Sequence, residues 1–422
     1  MNDGFYERME IDQSAAELVR KSEKKVAGFL EKQEETAQYN QWKIVDAMQK
    51  YGLGQRHFSV STGYGYGDEG REITEKIYAE VFGGEDAIVR PHITSGTHAI
   101  SLCLYGVLRS GDELLSVTGA PYDTIHSLLA PSEEDLGTLG DLGITYRQLD
   151  LTDQGMDYPG LEEALKNKPK MVYLQRSTGY AWRKALTMDE IEKAIVRIKE
   201  IHPQAVVMVD NCYGEFIEKM EPTEVGADLM AGSLIKNPGG GIAPTGGYVV
   251  GKKKWVARAA ARLSAPGIGK ETGATMGISR QYLQGLFLAP HVVLQALKTA
   301  IVAAEAFSSL GFQVCPKPED DRSDIIQAIQ LDEEEKLLRF CRAVQSASPV
   351  DSYVTPYPWD MPGYEEQVVM AAGAFMEGSS IELSADGPMK APYIVYLQGG
   401  LTYEHGKMGI IKALSSLTRE NA

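Results

Sequence analysis

One lysine stands in the most glycine-rich turn of the sequence. Lys236 lies in the stretch Ser233-Leu-Ile-Lys-Asn-Pro-Gly-Gly-Gly, and five glycines occur between residues 237 and 247. Apolar runs precede and follow this stretch, which predicts a turn between two strands. A lysine in such a turn could hold an aldehyde cofactor as an imine, and Ser233 could bind the phosphate of that cofactor. The competing interpretation is a glycine-rich loop with an incidental lysine.

An acidic residue ends an earlier apolar run. Asp210 follows Ala205-Val-Val-Met-Val, which predicts a buried strand with a carboxylate at its carboxyl end. A carboxylate beside a pyridine nitrogen keeps the ring protonated, so that the ring can accept electrons from a substrate carbanion. Asp210 and Lys236 are thus the two groups that pyridoxal phosphate chemistry requires most. Taken alone, Asp210 would also fit a solvated acid or a cap at the end of a strand.

A short polar turn opens a predicted apolar helix. Ser95, Gly96 and Thr97 offer hydroxyls and unpaired backbone N–H groups at the start of that helix, which is a suitable phosphate site. A simple Ser/Thr N-cap is the alternative interpretation of the same residues. His98 could face the cofactor, and a buried, hydrogen-bonded histidine fits equally well.

The elements that position these residues alternate between strand and helix. Such alternation predicts a parallel sheet with crossover helices, in which ligands bind at the carboxyl ends of the strands. Gln175 also ends a predicted strand, so we expect Gln175, Asp210 and the turn 94–98 to meet in one crevice. Thr187 and Glu190 form a capping box that predicts the start of one crossover helix.

The domain organisation follows from the same pattern. The fold class is α/β, with a mostly parallel central sheet in a large domain and a smaller α+β domain at the carboxyl end. The predicted strands of the smaller domain lie around residues 324–331, 367–372 and 393–397, with a last helix at 406–418. The predicted parts are an N-terminal helical arm at 1–60, a large domain at 61–310 and a small domain at 311–422.

Two other motifs suggest different chemistry. Gly65, Gly67 and Gly70 match GxGxxG, and residues 57–61 could be the strand before a dinucleotide-binding loop. The acidic residues near the next strand precede it, whereas a ribose ligand should lie at its far end, which weakens this interpretation. Ser233-x-x-Lys236 also matches a penicillin-binding motif, but neither Ser-Asp-Asn nor Lys-Thr-Gly occurs in the chain.

Composition limits the partners and the compartment. The chain has 422 residues and a net charge of −16, which disfavours nucleic acid and anionic membranes as partners. The histidines lack metal-ligand spacing, so no metal site is expected. No run of 18 apolar residues and no signal peptide is evident. Four cysteines without a CxxC pair predict a reducing cytoplasm, and Cys212 fits core packing better than a nucleophile.

Nearly the whole chain resembles the fold-type I pyridoxal phosphate enzymes of the cystathionine and methionine lyase group. Within that group it is most similar to the methionine gamma-lyase-like proteins also labelled aluminum resistance proteins. The stretches that carry the resemblance are Gly63-Tyr-Gly-Tyr-Gly-Asp, Thr94-Ser-Gly-Thr-His-Ala, Val209-Asp-Asn-Cys-Tyr-Gly-Glu, Ser233-Leu-Ile-Lys-Asn-Pro-Gly-Gly-Gly, Gln284-Gly-Leu-Phe-Leu-Ala-Pro and Gln398-Gly-Gly-Leu-Thr-Tyr.

The resemblance assigns roles to the residues. It implies Lys236 as the Schiff-base residue, Asp210 as the partner of the pyridine nitrogen and Tyr122 as the ring that stacks on the cofactor. The residues implied at the phosphate are Ser95, Gly96, Thr97 and Ser233. In the wider group a tyrosine and an arginine of the neighbouring subunit also reach the phosphate. Tyr64 and Tyr66 occupy that region here, and the arginine is missing or displaced to Arg71.

The sequence departs from the group at the substrate carboxylate. Related enzymes bind that carboxylate with an arginine of the small domain, because a planar guanidinium binds it through two hydrogen bonds. No arginine lies between Arg342 and Arg419 in this chain. Lys390 stands where the arginine is expected, and Arg176 of the large domain could serve instead.

We therefore expect a cytoplasmic, homo-oligomeric pyridoxal phosphate enzyme that cleaves a carbon–sulfur bond in a small amino acid. Its active site would be built at a dimer interface, with a tetramer as the expected assembly. Cystathionine beta-lyase and methionine gamma-lyase reactions stay open, since both need the same lysine, aspartate and phosphate site. The alternatives are transamination or aldol cleavage on the same cofactor, or a non-catalytic protein of this fold with a role in stress or metal tolerance.

Overall fold

The computed structural model describes residues 3–9, 11–131, 137–361, 364 and 366–418. The α-helices in these residues are α1 (Asp3–Arg8), α2 (Gln13–Lys50), α3 (Glu69–Val81), α4 (Gly96–Val107), α5 (Asp123–His126), α6 (Tyr158–Leu165), α7 (Met188–Ile201), α8 (Lys253–Leu263), α9 (Ser279–Ser308), α10 (Glu334–Ala347) and α11 (Tyr403–Thr418).

The strands of the described residues form two sheets. The strands of the larger sheet are β1 (Asp86–Arg90), β2 (Glu113–Ser116), β3 (Thr145–Gln148), β4 (Met171–Gln175), β5 (Val206–Asp210), β6 (Leu229–Ser233) and β7 (Gly247–Gly251). The strands of the smaller sheet are β8 (Gln313–Cys315), β9 (Gln327–Gln330), β10 (Val368–Ala371), β11 (Ser384–Pro388) and β12 (Ile394–Gln398).

The larger sheet has the order β1-β7-β6-β5-β4-β2-β3, and only β7 runs antiparallel to its neighbours. The pairs from β6 through β5, β4 and β2 to β3 are parallel, so their carboxyl ends lie along one edge of the sheet. The mostly parallel α/β fold expected from the sequence is thereby confirmed.

Both faces of this sheet are covered, which explains the uninterrupted apolar character of its central strands. β4, β5, β6 and β7 are buried at every position. Helices α4 and α8 pack on one face, and α3, α7 and α9 pack on the other. A strand buried on both sides needs apolar residues on both sides, so its sequence does not alternate.

The crossover helix α7 begins as its sequence predicts. The Thr187 hydroxyl accepts a hydrogen bond from the Glu190 N–H at 3.2 Å, and the Glu190 carboxylate accepts one from the Thr187 N–H at 2.8 Å. These two bonds satisfy backbone groups that have no partner inside the helix. The predicted capping box is confirmed.

The second sheet is antiparallel, in the order β10-β11-β12-β9-β8, and packs with α10 and α11. The N-terminal helix α2 lies along α9, and its buried residues Ala15, Ala16, Val19 and Val26 join the core of this second sheet. The boundary predicted at residue 310 falls between α9 and β8. The division into three parts stays a prediction.

Several local predictions need correction. Residues Gln55–Phe58 form a short 3-10 turn, and the described segment 57–61 contains no strand, which agrees with the rejection of the dinucleotide-binding alternative. The strands β8 and β11 escaped prediction because β8 is only three residues long and β11, Ser-Ala-Asp-Gly-Pro, has little β propensity. The last helix begins at Tyr403, three residues before its predicted start.

Helix α9 is long and apolar enough to cross a membrane. However, 78% of its most apolar window is buried inside the protein. The helix contacts α2, α3, α11 and the strands β8 and β9. A helix that is apolar around most of its circumference and covered by other elements is a core helix.

Candidate active site

A cavity of about 360 Å³ opens at the carboxyl ends of the parallel strands. Gln175 ends β4 and lies opposite Asp210, which ends β5, in the parallel register. Lys236 follows three residues after the end of β6, the next strand of the sheet. The first residues of α4 line the same cavity. The fold thus brings Gln175, Asp210, Lys236 and the Ser95–Thr97 turn together.

Lys236 is held at the start of a 3-10 turn, Asn237–Gly239. Its Nζ lies 4.0 Å from the centroid of the Tyr213 ring, within the range of a cation–π contact. Burial lowers the pKa of Lys236, while the neighbouring Cys212, Tyr213 and Asp210 raise it, and the net direction is upward. A free Lys236 is therefore an ammonium group in acidic surroundings.

Glycine is required where the lysine turn packs against α9. A Cβ on Gly239 would lie 1.7 Å from the carbonyl oxygen of Leu234, a distance that no side chain can adopt. Gly240 has a φ of 54°, in the left-handed region that favours glycine. These residues let the chain fold back under Lys236, so the glycine-rich sequence has a direct structural reason.

Asp210 is buried at the floor of the cavity. Its Oδ1 accepts a hydrogen bond from the Cys212 N–H at 3.0 Å, and its Oδ2 accepts one from the Tyr173 hydroxyl at 3.1 Å. Burial raises the pKa of Asp210, and the Lys236 charge partly offsets that effect. A buried carboxylate of this kind is stabilised by a cationic partner such as a protonated ring nitrogen.

The amino end of α4 forms the polar end of the cavity. Ser95 caps the helix, its Oγ accepting from the His98 N–H at 3.0 Å, and the Thr97 hydroxyl lies 2.7 Å from that of Thr124. A Cβ on Gly96 would come within 3.4 Å of the Ser233 Cβ, so glycine allows the two segments to approach. First-turn N–H groups and the helix dipole favour an anion here.

Tyr122 closes the side of the cavity. Its backbone N–H donates to Gln175 Oε1 at 2.7 Å, which fixes the turn to the end of β4. Its hydroxyl lies 2.5 Å from the hydroxyl of Tyr364, and the two rings meet edge to face. Burial raises the pKa of Tyr122 well above its ordinary value, so this phenol stays protonated.

A match to a known protein family identifies the class of enzyme that has this arrangement. The model of the family described as Methionine gamma-lyase matches residues 15–418, nearly the entire sequence. The chain belongs to the methionine gamma-lyase family. The resemblance drawn from the sequence motifs is confirmed, and membership makes the chain a pyridoxal-phosphate-dependent carbon–sulfur lyase by class.

Individual relatives agree with the family. The chain is 50% identical over 410 residues to the uncharacterised protein YnbB of Bacillus subtilis strain 168, covering 96% of this chain and 97% of YnbB. A carbon–sulfur lyase involved in aluminum resistance from Clostridium novyi NT has a TM-score of 0.95 at 45% identity, covering 99% of this chain and 100% of its own. Cystathionine gamma synthase from Xanthomonas oryzae pv. oryzae shares the fold, with a TM-score of 0.60 at 18% identity over 90% of this chain and 99% of its own.

The residues of this cavity fit the cofactor that the family uses. The α4 amino end and Ser233 suit a phosphate, and buried Asp210 suits a ring nitrogen. Tyr122 supplies a ring at the cavity wall, and Lys236 supplies the amine. Each chemical part of pyridoxal phosphate thus has a partner of the right type in one cavity.

Three predicted residues lie outside the cavity lining. The His98 Nδ1 accepts from the Thr94 N–H at 3.2 Å, a local bond within the first turn of α4. Tyr64 and Tyr66 are 74% and 70% exposed, with ring centroids 5.5 Å apart. Exposed aromatic rings of this kind agree with a role toward a neighbouring subunit, which stays a prediction. Arg71 donates to the carbonyl oxygens of Gly65 and Gly273 and so braces this loop.

The two residues expected at the substrate carboxylate are also elsewhere. Arg176 is fully buried and donates to Asn211, Gly214 and Glu218. Lys390 has a side chain that is 67% exposed and pairs with Glu366 at 3.3 Å. The structure brings neither cation into the cavity, because the first is a structural brace and the second is a surface charge.

The second sheet and the segments around it contribute cavity residues that were not predicted from the sequence. They are Met361, Tyr364, Met370, Ala372, Gly378, Ser379, Ser380, Ser384, Asp386 and Gln398. The local signals were the Gln398-Gly-Gly motif and the strand predicted at 367–372, which contains Met370 and Ala372; the others come from loops and from the unpredicted strand β11. The hydroxyls of Ser379 and Ser384 are buried and have no hydrogen-bond partner within the described residues.

Across the described part of the chain, no group of three or more His, Cys, Asp or Glu side chains could hold a metal ion. The four cysteines are free, and Cys103, Cys212 and Cys341 are buried.

Proposed function

We propose that the chain eliminates a thiol from a thioether amino acid, with Lys236 as the cofactor-bearing lysine and the base. The observation that carries this proposal is the meeting of Lys236 and the buried Asp210 on the floor of one cavity. Family membership and the name of the Clostridium novyi relative support the same reaction class.

Each polar group of the floor has a proposed task. When bound, pyridoxal phosphate supplies an electron sink that stabilises negative charge at the α-carbon of the substrate. Asp210 would accept a hydrogen bond from the ring nitrogen and keep that nitrogen protonated. Ser95, Gly96, Thr97 and Ser233 would hold the phosphate, and Tyr122 would contact the cofactor ring.

Lys236 moves the proton at the α-carbon. Asp210 is among the groups that raise the pKa of Lys236. Pairing Asp210 with a protonated cofactor ring would offset that influence, which would favour the neutral amine. The neutral amine then takes the α-proton.

We assign the protonation of the leaving group to a tyrosine of the cavity wall. The Tyr122 hydroxyl, paired with Tyr364 at 2.5 Å, is the donor we assign to the departing sulfur. The carbon–sulfur bond breaks with its electron pair on sulfur, and the thiolate takes this proton. Water then releases a 2-oxo acid and ammonium, so the complete reaction consumes one water molecule. Ser379 and Ser384, whose hydroxyls have no partner among the described residues, would bind the substrate carboxylate.

We also propose an assembly, a substrate size and a cellular location for the enzyme. A homo-oligomer, with a tetramer favoured, would bring Tyr64 and Tyr66 to the phosphate of a neighbouring subunit. The substrate is a small amino acid, in agreement with the size of the cavity. A cytoplasmic location is proposed from the reduced, unpaired cysteines.

The direct test is product analysis with L-cystathionine and L-methionine. Wild type should release a thiol and a 2-oxo acid in equal amounts from one or both, and Lys236→Ala should lower that rate by about 10³-fold or more. Lys390→Ala, which removes an exposed lysine, is the matched control and should keep the wild-type rate. A 2-oxo acid formed without thiol would show transamination, and cofactor binding without turnover would favour a non-catalytic protein.

A further inference from the structure

One ionisable acid of the cavity has no task in the proposed reaction. The ionisable acids and bases among the described lining residues, apart from tyrosines and Cys212, are Lys236, Asp210 and Asp386. Lys236 and Asp210 serve the cofactor. Asp386 lies on β11 of the small domain and is 5% exposed. A buried carboxylate is costly unless it is paired, so its presence calls for a partner.

The hydrogen bonds of Asp386 hold it in place without neutralising it. Its Oδ2 accepts from the Tyr180 hydroxyl at 2.5 Å, and its Oδ1 accepts from Gln398 Nε2 at 3.2 Å. Both donors are neutral groups. Burial raises the pKa of Asp386 to about 6, and the Tyr180 bond and the charge of Lys236 pull that pKa down. The cavity wall therefore holds a buried carboxyl group whose two hydrogen-bond donors carry no positive charge.

The walls around Asp386 suit a cation on an apolar stem. The rings of Tyr122, Tyr213 and Tyr364 line the same cavity, and aromatic faces attract cations. Met361 and Met370 line it as well and provide polarisable apolar surface for a thioether. No arginine or histidine is found among the described lining residues, so the chain supplies no cation to Asp386 from this wall.

We propose that Asp386 binds a cationic group at the end of the substrate side chain. The preferred substrates are then thioether amino acids that carry a second ammonium group beyond the sulfur. This inference rests on the proposed function, since it concerns the substrate of the same cavity. It makes Asp386 the residue that determines side-chain specificity.

Two simpler roles for Asp386 predict different behaviour. If Asp386 only orients Tyr180 and Gln398, the cavity has no preference for a charged side chain. If a protonated Asp386 donates a hydrogen bond to a substrate carboxylate, Asp386→Asn should preserve binding of every amino acid alike. The charge on the side chain of the substrate therefore separates the three roles.

A matched pair of thioethers provides the test. S-(2-aminoethyl)-L-cysteine and S-propyl-L-cysteine have nearly the same shape and differ in one terminal charge. The corresponding pair of L-homocysteine derivatives, with the sulfur on Cγ, tests γ-elimination in the same way. Wild type should prefer the aminoethyl compound by about 10- to 100-fold in kcat/KM, the range of a charged hydrogen bond. Asp386→Asn should bring the ratio to about one. Asp332→Asn removes a charge from an exposed turn of the same domain and should leave the ratio as in wild type.

The wild-type ratio alone can overturn the inference. A wild type that prefers the propyl compound or treats both alike contradicts it, as does an unchanged ratio in Asp386→Asn. The ratio is independent of how much active enzyme each variant yields.

Binding without turnover separates this inference from the proposed function. L-Lysine and L-2-aminoheptanoic acid have side chains of equal length, differ by the same terminal charge and contain no sulfur. Calorimetric titration of the cofactor-loaded wild type should show tighter binding of L-lysine, and Asp386→Asn should lose that preference. Preferential L-lysine binding in a protein that releases no thiol from any thioether would sustain the subsite and contradict the lyase proposal. Equal binding of the two amino acids by a protein that does release thiol would contradict the subsite and sustain the lyase proposal.

Discussion

The floor and the small-domain wall of the cavity are built in different ways. The floor consists of turns at the ends of β4, β5 and β6 and the amino end of α4, each a short contiguous motif on one sheet. The wall consists of single residues from β10 and the segments beside it, from the 378–386 segment and from β12. In our proposal the floor carries the groups that bind the cofactor, whereas the wall carries the groups that bind the substrate. Shared chemistry is therefore local in sequence, and selectivity is dispersed.

The largest expected effect concerns the floor. Asp210→Asn keeps the shape of the side chain and removes the charge that holds the cofactor ring protonated, so kcat should fall by about 10²- to 10³-fold. Tyr173→Phe removes only one neutral hydrogen bond to Oδ2, and its effect should stay at about five-fold. Steady-state kinetics of both variants checks the order. Equal losses of kcat in the two variants would contradict the view that the charge of Asp210 matters more than the hydrogen bond from Tyr173.

Substitution of Arg176 tests whether this buried cation binds the substrate carboxylate or only stabilises the fold. Arg176→Met leaves Glu218 and Glu221 without their cation, so the free energy of unfolding should fall by about 3–5 kcal/mol. KM should stay near the wild-type value in the protein that remains folded, because the guanidinium does not line the cavity. Denaturant unfolding and kinetics measure the two quantities. A raised KM with unchanged stability would restore Arg176 as a carboxylate ligand.

Ser233 gives a smaller effect that is confined to the floor. Ser233→Ala removes one hydroxyl from the proposed phosphate site, so the Kd for pyridoxal phosphate should rise by about 10-fold. Ser279→Ala removes a buried hydroxyl outside the cavity and is the matched control. Equilibrium titration of the apoprotein measures both. An unchanged Kd in Ser233→Ala would place the phosphate elsewhere.

The smallest expected effect is a pH dependence of the stability of the fold, which arises from Glu215. Burial raises the pKa of Glu215 from 4.5 to about 8, although the Tyr248 hydroxyl donates to its Oε1 at 2.6 Å. The folded protein thus keeps a proton that the unfolded chain releases, so stability falls as pH rises from 4.5 to 8. Glu215→Gln carries no titrating proton, and its Tm relative to wild type should increase across that window by about 2 °C or more.

Glu366→Gln, at a partly exposed carboxylate, is the control for this pH dependence. Its Tm should follow wild type at every pH. A constant difference in Tm between Glu215→Gln and wild type would contradict the proposed titration.

The contrast also explains what could be predicted from the sequence. Asp210 and Gln175 end apolar runs, and Lys236 lies in a glycine turn, so sheet topology alone places them at one edge. Asp386 and Ser384 belong to a five-residue strand with a glycine and a proline, which carries no periodic signal. Their position depends on how the second sheet packs against the first, and short-range patterns do not encode that packing.

Charged residues misled the prediction for the same reason. Arg176 follows a strand end, as a binding residue would, but its side chain turns back to Asn211 and Gly214 under the sheet. Lys390 was expected near the substrate because it is a cation in the small domain, and its side chain points to Glu366 at the surface. The direction of a long side chain is decided by tertiary packing, which a position in the sequence does not reveal.

The most direct test of the account is to find where pyridoxal phosphate attaches. The cofactor-loaded protein would be reduced with borohydride, digested and mapped by mass spectrometry, with Lys236→Ala treated in parallel. The account predicts one modified residue, Lys236, in wild type and none in the variant. Attachment to a different lysine, or a wild type that takes up no cofactor, would contradict it.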